Sequence, residues 1–231
     1  MDNYSKQAPI DKEISINPSA TFNWKISPDM LIDYANHYFC EISGFEEYEL
    51  IGESIEKLRH PDMPKVILDV LYERLEKKEP MRLINKILAK DGRYFWLMVD
   101  FETKVDKAGE VIAHYGISKI APQYAVHKIN ALYKILSKIE EKTGSSEASK
   151  RYLIGFLEER NHTYNKYIEE LSINHPEYEK PFQQTFSQKA ALRTPTRTNF
   201  NQLSFDLSQS WNRENKKPAK KKSLLKKVFG K

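Results

Sequence analysis

The chain has 231 residues, 40% of them hydrophobic and 30% charged, at a mean hydropathy of −0.66, which is room for one mid-sized domain with extensions or for two small ones. No apolar stretch approaches the ~20 residues of a membrane span, and the opening residues lack the apolar centre of a secretory leader. The single cysteine, Cys40, excludes an intramolecular disulfide and fits a reducing, cytoplasmic setting. None of the eight glycines forms a G-x-G, and the six histidines are scattered, so phosphate-cradling loops and histidine metal sites are not expected and neither is an enzyme.

Residues 1 to 20 are polar without a sustained period and are expected to form a flexible arm. Phe22 to Ile26 and Met30 to Tyr34 are predicted strands around a Ser27-Pro28-Asp29 turn. Asn36 to Ser43 and Glu46 to Leu50 are short helices, stopped by Gly44 and near Gly52. Asp62 is placed to cap a longer helix with Pro64 in its first turn and Val66, Ile67, Val70, Leu71 and Leu75 on its apolar face. Arg82 to Ala89, Arg93 to Val105 and Val111 to Ser118 complete an α+β domain, joined by turns at Lys90-Asp91-Gly92 and Asp106 to Gly109.

Beyond Pro122 the pattern is helical. Ala125, Ile129, Leu132, Leu136 and Ile139 repeat at 4-3-4-3, and Ile154, Leu157, Asn161, Tyr164, Ile168 and Leu171 at 3-4-3-4-3 across a break at Thr143 to Ser146. These seams fit a helical hairpin, pairing between subunits, or a helix covering its own domain, with Asn161 setting register in a pairing seam. Residues 172–212 are rich in Gln, Ser, Thr and Asn and are expected to be a disordered linker. From Arg213 onward eight lysines and one arginine face one acid, so this tail carries +8 and leaves the first 212 residues at −3 out of a total of +5. Leu224, Leu225, Val228 and Phe229 between the lysines make Lys220 to Lys231 a candidate amphipathic contact to a membrane surface or partner, and nucleic acid is the less favoured target.

The wording of the first domain is more specific than its pattern. Tyr34-Ala35-Asn36-His37-Tyr38-Phe39 with Ser43-Gly44-Phe45 and Glu49-Leu50-Ile51-Gly52, then Leu58-Arg59-His60-Pro61-Asp62-Met63-Pro64, then Lys90-Asp91-Gly92-Arg93-Tyr94-Phe95-Trp96, resemble a PAS domain of the group that holds FAD in aerotaxis and energy-taxis receptors. The resemblance covers residues 21–120. It implies a five-stranded antiparallel sheet with short helices on one face, and it marks Asn36, Arg59, His60 and Asp62 as residues that line or border the flavin. Met81 and Ile87 stand where that group has a tryptophan and an asparagine, and Asn85, two residues before Ile87 on the same strand face, is the candidate replacement.

What the resemblance implies is a non-catalytic sensor of redox or energy state, in which FAD changes the sheet and the helices after Pro122 pass the change on. The partners are a second copy, as a homodimer, and a separate chemoreceptor-type protein, with residues 213–231 as a possible tether to the inner membrane surface. The alternative is a cofactor-free PAS interaction protein, and a remoter one is a haem gas sensor with His60 as axial ligand.

Overall fold

The computed structural model describes residues 7–173 and His175. The linker and basic tail expected from residue 172 onward lie outside the described residues, apart from their first positions. The chain folds as β1 (Thr21–Ile26), β2 (Ile32–Ala35), α1 (His37–Ser43), α2 (Glu47–Leu50), a 3-10 turn (Ile55–Leu58), α3 (Lys65–Glu76), β3 (Met81–Leu88), β4 (Tyr94–Val105), β5 (Val111–Ile120), α4 (Gln123–Thr143), α5 (Ser146–Glu158) and α6 (Tyr164–Leu171). The five strands form one antiparallel sheet in the order β2-β1-β5-β4-β3.

Alternation along the strands gives the sheet two apolar faces, because helices cover both. Phe22 and Trp24 of β1 meet Phe39 of α1, and Phe95 and Phe101 of β4 point to the same side. Through the β3–β4 register, Met81, Leu83, Asn85 and Ile87 share this inner face with Phe101, Val99, Leu97 and Phe95. The residues between them, Ile84 and Trp96 among others, face outward. There Trp96 lies 6.4 Å from the Tyr133 ring of α4, and the Tyr133 hydroxyl donates to the Ile84 carbonyl at 2.8 Å.

The seam of α4 is therefore buried inside its own chain. Ala125, Ile129 and Leu136 have no exposed surface and Leu132 has 3%, and they belong to the hydrophobic core that also holds the sheet, α5 and α6. Of the arrangements the spacing leaves open, the chain adopts that of a helix covering its own domain: the apolar stripe finds its cover on the sheet's own outer face. The second seam also breaks. Asn161 sits at φ 53° in the turn between α5 and α6, not within a helix, and Leu157, Tyr164, Ile168 and Leu171 reach the core from two helices.

Two local expectations also change. Residues 10–14 do not hang free but run beside the β3–β4 turn: the Ile10 amide donates to Gly92 O, that of Tyr94 to Lys12 O and that of Ile14 to Tyr94 O. Ile16 follows at 2% exposure. A strand edge with unpaired backbone groups attracts such a segment when an apolar residue anchors it. Gly92, at φ 87°, is needed where the two meet, since a Cβ there would stand 2.5 Å from Ala8 O. At α3 the N-cap position is Pro64, which has no side-chain oxygen to offer, and Asp62 is engaged elsewhere.

Candidate functional site

Loop 59–64 leaves the 3-10 turn and runs along the free edge of β3. Arg59 bridges Ile87, the His60 amide donates to Lys86 O at 3.2 Å, and the Lys86 amide meets the Met63 sulfur at 3.4 Å. Pro61 and Pro64 keep the segment short of helix; after its pairing with β3 it turns on itself, the Met63 amide donating to His60 O at 2.9 Å. His60 is 5% exposed; its Nδ1 accepts the Asp62 amide at 3.1 Å, and its ring stands edge-on to Tyr94 at 5.5 Å. The Arg59 guanidinium donates to the Met63 carbonyl at 3.3 Å.

Lys86 holds the loop down. It interrupts the apolar run of β3, is 6% exposed, and places its ammonium 2.5 Å from an Asp62 carboxylate oxygen and 4.0 Å from the centre of the Tyr94 ring. A buried ammonium needs such company, a carboxylate and the negative face of an aromatic ring. Burial tends to raise the Asp62 carboxyl, but the Lys86 hydrogen bond and charge, with His60 behind them, hold it below its ordinary value. Tyr94 is pushed up to about 12 by burial and by its hydrogen bond to Asp11.

The same loop is fastened to α4. Ser137 Oγ donates to Asp62 O at 3.4 Å. The Glu140 carboxylate accepts the Lys65 and Val66 amides at 2.7 and 2.9 Å, supplying from α4 the cap that Pro64 cannot give α3. Ser149 of α5 donates to Glu140 at 2.8 Å.

Of the five residues expected at a flavin, the fold brings together Arg59, His60 and Asp62, at the edge of β3. Asn36 is the N-cap of α1: its Oδ1 accepts the Phe39 amide at 3.2 Å and its Nδ2 donates to Thr21 O at 3.0 Å. Asn85, 9% exposed, is the one that shares the inner sheet face. Between that face and α1 the rings of Phe22, Trp24, Phe39, Phe95 and Phe101 pack at 5.5–6.3 Å between centroids, and Met81 and Ile87 are fully buried. Trp24 lies so closely on β5 that its Nε1 occupies the place a Cβ on Gly116 would need, 2.1 Å away, and it donates to Ser118 Oγ at 3.1 Å. Four of the five candidate side chains thus direct polar atoms to the protein itself, and aromatic rings pack against one another between the inner face and α1.

Sequence reasoning missed Lys86, Ser137 and Glu140. A lysine inside Leu83 to Leu88 is a visible signal for a partnered buried charge. Glu140 carries none, since its amide partners lie about 75 residues away.

Sheet order, the helices on the inner face and loop 59–64 define the class: residues 32–118 match the family described as the PAS fold, and this part of the chain is a PAS domain. Among relatives, the chain is 31% identical over 106 residues to the aerotaxis receptor of Escherichia coli (strain K12), an alignment covering 46% of this chain and 21% of the receptor. The chain therefore matches about a fifth of that protein's length. Solved structures similar to it include a light-oxygen-voltage domain studied with a flavin analogue, at 21% identity and TM-score 0.44, covering 49% of this chain and 87% of that one. The light-state LOV domain of the blue-light photoreceptor Aureochrome1 is similar at 20% identity and TM-score 0.43, covering 48% of this chain and 89% of that one. Among the described residues no helix is long and apolar enough to cross a membrane, and no group of three or more His, Cys, Asp or Glu is placed to hold a metal ion.

Proposed function

We propose that the chain is a cytoplasmic sensory relay and not a catalyst: a change at β3 passes through loop 59–64 to α4–α6, where a separate chemotaxis-type protein such as a chemoreceptor reads it. One observation carries this reading. The loop is clamped on one side to β3 by Asp62 and Lys86, and on the other to α4 by Ser137 and Glu140. A shift of the strand therefore reaches the helices through short polar contacts instead of a flexible linker. The similarity to an aerotaxis receptor supports energy or redox state as the input. If the chain forms a homodimer, it does so through a surface other than the Ala125 to Leu136 seam. In cells whose energy taxis depends on this chain, Lys86→Met present at wild-type abundance abolishes the response; an unchanged response overturns the reading.

The second reading is input through bound FAD. It is favoured by the same similarity and by Asn85 on the inner face, and it requires the rings around Trp24 and Phe39 to move apart. The close packing of these rings favours the cofactor-free form. The absorption spectrum of the full chain, as purified and after addition of FAD, separates the two: no chromophore and no uptake support the cofactor-free relay, and flavin bands that bleach on reduction establish the loaded form.

A further inference from the structure

Along the solvent side of α3 runs an open groove of about 640 Å³ whose lining includes none of the clamp residues. Its floor is mostly apolar, made by Pro28, Met30, Leu75 and Val111 beside the His114 ring, and its α3 wall carries Asp69, Tyr72, Glu73 and Glu76. These four recur at intervals of three, one and three residues and so share one helix face. Glu73 is paired with Lys150 at 2.5 Å. Asp69 and Glu76 have no ion-pair partner among the described residues. An apolar trough walled by open carboxylates fits a peptide that alternates lysines with large apolar side chains.

The sequence contains one such segment. Lys220-Lys221-Lys222-Ser223-Leu224-Leu225-Lys226-Lys227-Val228-Phe229 holds five lysines and four apolar residues and no acid. We infer that this segment docks in the α3 groove of its own chain, with Leu224, Leu225, Val228 or Phe229 against Met30, Leu75 and Val111 and its lysines against Asp69 and Glu76. Chain length allows it. The last described residue, His175, lies against Tyr124 at the start of α4, 3.9 Å between ring centroids, and the 45 residues from there to Lys220 have a flexible-chain reach of about 35–40 Å, beyond the ~15 Å radius of gyration of a body this size. Tethering raises the local concentration to the order of 1 mM, so a peptide affinity of about 0.1 mM leaves roughly one tail in ten undocked. The groove is then open only when something else draws the tail away, which makes it a self-occupied site for a basic amphipathic partner.

The test uses the full chain. Trypsin is expected to cut between Lys216 and Lys227 about tenfold more slowly in the wild type than in the double variant Asp69→Lys, Glu76→Lys, and a carbodiimide that joins contacting amines and carboxylates should link Lys220 to Lys227 to Asp69 or Glu76. Mixing isotopically light and heavy protein distinguishes the sources. Links within one copy that vanish at high salt support the proposal. Links only between copies, links spread evenly over other carboxylates, or protection that appears only with phosphatidylserine vesicles overturn it. Met30→Lys, which sets a positive charge in the apolar floor and keeps the carboxylates, should release the tail as well; unchanged protection in this variant also contradicts the docking.

Discussion

Among single residues, Trp24 and Gly116 are the pair on which the inner face depends. The indole is 2% exposed and hemmed by Phe39 and Phe101, so it has nowhere to retreat from a methyl group on Gly116. Gly116→Ala should cost about 1–3 kcal/mol through overpacking, read as a shift of the urea midpoint at unchanged slope; a neutral substitution would mean that the indole does not lie flat on β5. Asp62 gives a prediction in pH. Its carboxyl titrates lower in the folded than in the unfolded chain, so its stabilising effect is complete above the ordinary value of 3.8 and is lost as pH falls from there through the folded value. The carboxyl is half exposed, so the effect is modest. The stability difference between wild type and Asp62→Asn should narrow below pH 4, and a constant difference would count against the Lys86 pairing.

At the scale of elements, α4 is a cover for the sheet and a brace for α3. Leu132→Ala should therefore destabilise the whole fold by about 2–5 kcal/mol without altering the molecular mass measured by light scattering; a change of mass with little loss of stability would restore the subunit seam. Glu140→Ala removes the cap on α3 and should cost about 0.5–2 kcal/mol, with faster amide exchange at Lys65 and Val66. How far these elements were legible in the sequence follows from the range of the forces involved. The turns at Gly44, Gly92 and Gly109 and the alternation of Phe95 and Trp96 are local, and they set the five strands and the helices within a residue or two. The break around Asn161 was not legible, because its neighbours keep the heptad spacing across the turn. The fate of the α4 stripe was not legible either, because apolar spacing says that a face will be covered but not by what. The site was half legible. Arg59, His60 and Asp62 do converge, but their directions depend on Lys86 and Glu140, which only the tertiary fold brings to them.

For the whole molecule, the sheet has an inner face packed with aromatic rings and an outer face covered by α4–α6, and loop 59–64 is fastened both to the edge of β3 and to α4. In the proposed relay this coupling carries the change, whatever ligand or partner sets it. The most direct measurement is hydrogen–deuterium exchange by mass spectrometry on the full chain and on Lys86→Met, a substitution that keeps the apolar bulk of the side chain and removes its hold on Asp62. The relay predicts that protection falls in loop 59–64 and also across residues 123–171, while β1 and β2 are unchanged. Loss of protection confined to residues 59–66, with α4–α6 exchanging as in the wild type, would contradict it.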